Sequence, residues 1–143
     1  MQKPYRPNAS IIAKRNGKFL LVKKPRAHHA WQFPQGGVEA GENFEEAAKR
    51  EFEEELGTNQ IELLAECGIY HYDWSKNIEI DKSLQRFRGQ EVHFFFANFN
   101  GTDKEIKLDH NELEDWKWVD VTELKQLIES PDYLTKILVI INA

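Results

Sequence analysis

The sequence predicts an α/β domain in which a mixed β-sheet carries helices on both faces. Three observations predict it. Two short apolar runs near the start flank Asn16-Gly17, a dipeptide that favours a tight hairpin. A capped helical pattern follows at Phe44 to Leu56. An aromatic strand pattern, VHFFFANF, then precedes two more helical segments. The 143 residues suit one domain, spanning 1–143.

The elements are expected in this order. Ala9 to Lys14 and Lys18 to Lys24 form the hairpin strands. PRAHHAWQFPQGG holds Pro25, Pro34 and Gly36-Gly37 and reads as a loop with room for a short strand. Asn43 has Glu46 three residues on, the spacing of a capping box. Phe44 to Leu56 continues as helix, and Gly57 ends it. Ile61 to Tyr72 and Glu91 to Phe99 read as strands, separated by a polar loop over 73–90. Asn100-Gly101 is a second turn. Trp116 to Val119 is a short strand with both tryptophans on one face. Val121 to Ser130, capped by Asp120, reads as helix. Pro131 to Ile141 reads as a helix or a helix running into a strand.

Composition narrows the function classes. No apolar run approaches the ~20 residues that span a bilayer. Lys14, Arg15 and Lys18 interrupt the early apolar residues, so no secretory leader is expected. The single cysteine, Cys67, makes no internal disulfide and accords with a cytoplasmic protein. Residues 1–38 carry eight basic and no acidic side chains, whereas the remainder carries 11 basic and 24 acidic ones. A cationic flank beside an anionic centre suits a polyanionic substrate bridged by metal ions. The net charge of −5 argues against binding a long nucleic-acid duplex.

The anionic centre is concentrated in GGVEAGENFEEAAKREFEEELG, residues 36–57, with eight glutamates. On a helix Glu51, Glu54 and Glu55 share one face. Phe44, Ala48, Phe52 and Leu56 form an apolar stripe beside them, so the carboxylates sit at the edge of the buried face. Like charges at i,i+4 destabilise a helix, and desolvation adds to that. A hard divalent cation removes the penalty. Lys49 and Glu53 are spaced for an ordinary helix ion pair. Gly36-Gly37 lets a carbonyl approach such a cation, Gly41 is the bend before the cap, and Arg50 is placed to tie the loop to the helix.

Gly36, five residues, Glu42, seven residues, Arg50-Glu51-Phe52, one residue, Glu54-Glu55, one residue and Gly57 resemble the Nudix box. Thr58 stands where an aliphatic residue is usual. The resemblance implies a Nudix α/β/α sandwich with a mixed β-sheet and hydrolysis of a nucleoside diphosphate linked to another moiety. It implies Mg²⁺, or Mn²⁺ in its place, on the box glutamates. YRPN (Tyr5 to Asn8), WQFPQGG (Trp31 to Gly37), Gly89-Gln90 and ELEDWKWV (Glu112 to Val119) are similar to bacterial RNA 5′-pyrophosphohydrolases and diadenosine polyphosphate hydrolases. Where those read Gly-Gln-x-Gln-x-Trp-Phe, this chain reads Gly89-Gln90-Glu91-Val92-His93-Phe94.

The resemblance implies metal ligation by Glu51, Glu54, Glu55 and Glu112 with the Gly36 carbonyl. Glu51, Glu54 or Glu112 would be the general base. It implies substrate contacts from Arg6, Gln35 and Gln90, with Gly37, Gly41, Glu42, Arg50 and Gly57 shaping the box. Lys23, Lys24 and Arg26 are candidates for the outer phosphates by their charge and their place at a strand end. Tyr70, Tyr72, Trp74 and Phe94 are candidates to stack on a base, and His29 to orient substrate. His28 and His29 lack a second cluster with zinc spacing.

The expected function is Mg²⁺-dependent pyrophosphohydrolysis of a nucleoside polyphosphate, a 5′-triphosphorylated RNA end or a dinucleoside polyphosphate such as diadenosine tetraphosphate. The alternatives are clearance of small (d)NTPs or dihydroneopterin triphosphate, and a non-catalytic nucleotide-binding module. A monomer and a homodimer both accord with the sequence.

Overall fold

The computed structural model describes residues 2–25, 30–74 and 80–143. Its strands are β1 Tyr5–Arg15, β2 Lys18–Lys23, β3 Trp31–Gln32, β4 Gln35–Gly37, β5 Ile61–Asp73, β6 Gly89–Phe99 and β7 Asp115–Val119. The helices are α1 Phe44–Leu56, α2 Val121–Leu127 and α3 Pro131–Ile140. Among the described residues no helix is long and apolar enough to cross a membrane. Arg26, His28 and His29 lie outside the described residues.

The strands form one sheet in the order β3-β2-β1-β6-β5, with β4 against β1 and β7 against β2. β1 and β6 run parallel from Tyr5↔Gly89 to Lys14↔Asn98, and the other pairs are antiparallel. The mixed sheet is therefore as expected. Asn16 and Gly17 both adopt positive φ, 52° and 75°, the conformation of a type I′ hairpin turn. One edge of β1 is shared. Its start pairs with β4 through Asn8↔Gly37 to Ser10↔Gln35, and its end pairs with β2. The glycine-rich segment is thereby stitched to the middle of the sheet.

Strand alternation sends Ala9, Ile11 and Ala13 of β1 to one face, where they meet Ala47, Ala48, Phe52 and Leu56 of α1. Burying a side chain such as Phe52 stabilises the fold by about 2–3 kcal/mol. The opposite face carries Ile12, Leu21, Val92 and Phe94, covered by Leu124 of α2 and Ile137 of α3. Helices thus cover both faces, as the pattern of elements predicts. Trp116 and Trp118 both pack on the α1 side.

Several boundaries differ from expectation, each for a tertiary reason. β1 begins at Tyr5, not Ala9, because β6 and β4 pair with its polar first half. β6 likewise begins at Gly89. α2 stops at Leu127, short of the expected Ser130. Ser130 is instead the N-cap of α3, accepting a bond from Tyr133 N, with Pro131 in the first turn. A residue before proline resists the helical conformation. Pro131–Ile140 is helix throughout and does not run into a strand. At the ends of the polar stretch 73–90 Trp74 N donates to Arg88 O, and among its described residues Lys82–Leu84 form a 3₁₀ turn. Lys49 pairs with Glu45 rather than Glu53, the better orientation for a glutamate four residues N-terminal to a lysine.

Candidate active site

The site begins with how α1 starts. Asn43 accepts from Glu46 N, and Glu46 accepts from Asn43 N at 3.0 Å, completing the capping box. With the first turn fixed, Glu51, Glu54 and Glu55 project along one side of the helix. Gly57 ends it at φ 72°, its N–H bonded to Glu53 O. A β-carbon there would also sit 2.6 Å from Lys107 O.

Arg50 holds the preceding loop to the helix. Its Nε donates to Glu42 Oε2 at 2.6 Å and its Nη2 to Glu42 Oε1 at 2.9 Å, a bidentate pair. Nη2 also donates to the Gly37 carbonyl at 2.9 Å, and Nη1 reaches Glu51 at 2.9 Å and Glu54 at 3.3 Å. Glu42 further accepts from Glu39 N, and these bonds hold its carboxyl below the usual range. Gly41, at φ 84°, makes the bend between them.

Gly36 lies directly against Glu51. A β-carbon at Gly36 would fall 1.9 Å from Glu51 Cδ, so only glycine leaves room for that carboxylate. Gly37 is packed equally closely on the Arg6 guanidinium.

These groups line a polar cavity of about 290 Å³. Glu51, Glu54 and Glu55 of α1 line it, with Arg6 and Asn8 of β1, Gly36 and Gly37 of β4 and Gln90 of β6. Lys24, Gln35, Asp109 and Glu112 complete the rim. Glu55 is only 5% exposed. Its Oε1 accepts from Gln35 N at 3.2 Å, while its Oε2 has no hydrogen-bond partner among the described residues. Burial pushes this carboxyl up to about 8, against the pull of Lys24. Burial also raises Glu51, and Arg50 opposes it.

The donor set fits a divalent cation. Carboxylate oxygens are its preferred ligands, and the orphaned Glu55 Oε2 is an atom that a cation would satisfy. Among the described residues no three carboxylate, imidazole or thiol groups stand converged as a ready-made ligand set. Arg50 draws Glu51 and Glu54 toward itself.

Most sequence-predicted residues meet here. Lys24 lines the cavity, but Lys23 does not. It stands 3.9 Å from Glu114, because strand alternation turns it the other way. Gln90 is 7% exposed, and its amide is used internally. Oε1 accepts from Arg6 Nη1 at 3.1 Å and Asn8 Nδ2 at 2.7 Å, and Nε2 bonds Tyr72 Oη. Asn8 and Asp109 were missed as site residues. Asn8 alternates with Arg6 along β1, a period-two signal present in the sequence. Asp109 is brought in by its N–H donating to Glu55 O at 3.1 Å, a contact with no local sequence signature.

A second, more apolar cavity of about 470 Å³ adjoins the first, and Gln35 lines both. Trp31, Tyr70, Tyr72, Val92 and Tyr133 line it. Tyr70 lies 5.8 Å from Tyr72 and 5.9 Å from Tyr133 between ring centroids. Phe94, expected as a stacking candidate, is fully buried in the core. Trp74 donates from Nε1 to Phe87 O and closes the neck of the 73–90 loop.

The NUDIX domain family model matches residues 4–137. The chain belongs to this family. The family's chemistry, hydrolysis of phosphoanhydrides with a divalent cation, accords with the carboxylate wall. Among NUDIX relatives, the RNA pyrophosphohydrolase of Pelagibacter ubique is 37% identical over 121 residues, covering 82% of this chain and 77% of that protein. The RNA pyrophosphohydrolase of Rhodospirillum rubrum is 40% identical over 129 residues, covering 87% and 78%. Two solved NUDIX structures share the fold at 22% identity. The C. elegans Ap4A hydrolase binary complex has a TM-score of 0.70 and covers 91% of this chain and 92% of that one. The E. coli dihydroneopterin triphosphate pyrophosphohydrolase has 0.71 and covers 99% and 100%.

Proposed function

We propose that this chain hydrolyses the 5′-triphosphate end of RNA: water adds across one phosphoanhydride bond, the outer phosphate portion leaves, and the RNA keeps a 5′ end with fewer phosphates. The observation that carries this reading is a pair of cavities of different character that share Gln35 in their linings. One is lined by carboxylates and cations and suits a polyphosphate. The other is lined by aromatic rings and suits a stacked base. The similarity to the RNA pyrophosphohydrolases of Pelagibacter ubique and Rhodospirillum rubrum supports the same reading. The cationic groups beside the site, Arg6 and Lys24, suit a short 5′ end and not a long duplex. The single cysteine accords with action in the cytoplasm.

Glu51, Glu54 and Glu55 would hold the cation, Mg²⁺ or Mn²⁺, with the Gly36 carbonyl and Glu112 as further ligands. When bound it supplies charge neutralisation on the phosphates and a lowered pKa for water. The chain's own residues do the rest. Arg6, steadied by Gln90, binds phosphate oxygens. Lys24 faces the outer phosphates. Glu51, Glu54 and Glu112 line the space a water must occupy, and one of them takes its proton. Arg50 keeps the Gly37 carbonyl and the box loop at fixed distance from the helix.

A panel assay tests the reading. Triphosphorylated RNA, diadenosine tetraphosphate, dihydroneopterin triphosphate and the NTPs are each incubated with Mg²⁺ or Mn²⁺, and kcat/KM is ranked. Triphosphorylated RNA should rank first. Preference for free nucleotides would replace this substrate with a small one, and turnover of none would make the chain a binding module. Arg6→Ala should raise KM for the RNA about tenfold, on the scale of a lost charged hydrogen bond, with Tm little changed. A lowered Tm with KM intact would make Arg6 structural.

A further inference from the structure

The stretch 81–88, DKSLQRFR, carries three basic side chains and one acidic one in a chain of net charge −5, and the hydrolytic site uses none of them. Asp81 is occupied locally, its carboxylate accepting from Ser83 N at 3.4 Å. Arg88 pairs with Asp73 at 2.9 Å and lies 4.7 Å over the Tyr5 ring. Lys82 and Arg86 are exposed, and the Arg86 guanidinium stands 4.8 Å over the Phe87 ring. Lys3 joins them, its Nζ donating to Gln85 O at 2.6 Å. That partner is neutral and leaves the lysine charge uncancelled.

Two lines of contact tie this basic surface to the two cavities. The first follows the sheet. Arg6 and Gln90 line the polar cavity and are partners in the parallel register of β1 and β6, with Tyr5 beside Gly89 one step earlier. A further step back along both chains, Arg88 N donates to Pro4 O at 2.9 Å, and Lys3 then meets Gln85. Lys3 is therefore separated from Arg6 by at most about 11 Å of extended chain. The second line follows aromatic rings. Tyr72, in the lining of the aromatic cavity, meets Trp74 edge to face at 6.0 Å, and Trp74 Nε1 donates to Phe87 O at 3.0 Å.

Charge decides by which side a nucleic-acid strand leaves the aromatic cavity. Toward α3 the lining holds Glu129 and Asp132, both exposed, and carboxylates repel a phosphate backbone. Toward Trp74 the next charges are those of Lys3, Lys82 and Arg86. Cations that neutralise phosphates beside rings on which bases stack are the composition of a single-strand binding surface. We propose that Lys3, Lys82 and Arg86, with Trp74 and Phe87, form a track for the single-stranded RNA that follows the 5′ end. The track contributes affinity and takes no part in the chemistry, so it lowers KM for longer RNA and leaves kcat unchanged. Its use in turnover rests on the proposed hydrolysis of RNA ends, whereas its binding of the strand does not.

The test uses the whole chain. KM and kcat are measured on a triphosphorylated dinucleotide and a triphosphorylated single-stranded hexanucleotide. The proteins are wild type, Lys3→Gln, the double variant Lys82→Gln with Arg86→Gln, and the charge-keeping pair Lys82→Arg with Arg86→Lys. In parallel, fluorescence anisotropy follows a labelled 5′-hydroxyl hexanucleotide RNA against salt, with no reacting group needed. Wild type should show a lower KM for the hexanucleotide than for the dinucleotide. The double glutamine variant should raise the hexanucleotide KM about tenfold and leave the dinucleotide KM, kcat and Tm in place, with the charge-keeping pair like wild type. Lys3→Gln should act in the same direction to a smaller extent. The slope of log affinity against log salt should lessen by about 1.4 in the double glutamine variant, the share of two phosphate contacts on a single strand. Equal KM for both lengths in wild type, or an equal rise for both in the variant, overturns the proposal. So does hexanucleotide binding whose salt slope the variants leave unchanged. If neither RNA nor nucleotide is turned over, the assigned reaction fails, and the salt titration still decides the track.

Discussion

Glu54→Gln should lower turnover by at least about 10²-fold and leave the fold intact, the scale expected when a group that handles a proton or a metal is neutralised. The structural half of the expectation follows from exposure. The Glu54 side chain is 58% exposed, and its one polar partner among the described residues is Arg50 at 3.3 Å. Glutamine keeps the shape and one acceptor oxygen, and such exposed ion pairs contribute little to stability. The functional half follows from position, since Glu54 lines the polar cavity on the face shared with Glu51 and Glu55. The comparison requires kcat on triphosphorylated RNA beside a thermal melt of each protein. Near-normal turnover in the variant would remove Glu54 from the reaction.

Gly36→Ala should be as severe for turnover, by a different route. The added methyl would stand 1.9 Å from Glu51 Cδ and 2.2 Å from Glu51 Oε2, so one of the two must move. Glu51 is the movable partner, because β4 fixes Gly36 through its pairing with Ala9. Its carboxylate is the group displaced. We expect at least about 100-fold lower kcat, on the scale of a misplaced catalytic group, with a stability loss of about 1–3 kcal/mol from overpacking. A longer Mn²⁺ or Mg²⁺ titration should not restore wild-type turnover. An alanine variant with wild-type kcat would show that Glu51 reaches its working position by another path.

Much of this was legible in the residues because local chemistry and tertiary role agree. Asn43 with Glu46 marks the start of α1, and Gly57 marks its end, each through bonds made within a few residues. Asn16-Gly17 reads as a turn because both residues tolerate positive φ. The stripe Phe44, Ala48, Phe52 and Leu56 reads as a buried face because its spacing matches the helix. Where reading failed, distant partners decided. The polar residues Tyr5 to Asn8 gave no strand signal, yet β6 recruits them. Asp109 reaches the site through a backbone bond to Glu55. Lys23 and Lys24 look alike in sequence, and only the direction of β2 separates them. The two sides of the candidate site were also unequal. The carboxylate helix is announced by spacing, whereas the aromatic cavity is assembled from β3, β5, β6 and the start of α3.

The parallel pairing of β1 with β6 has a consequence for synthesis. Arg6 and Gln90 are 84 positions apart in the chain, and contacts so remote in sequence form slowly. A nascent polypeptide exposes its entire acidic helix before the strand that steadies Arg6 has left the ribosome. A chain stalled ahead of Gln90 therefore lacks the strand that pairs with β1 and the partner that steadies Arg6.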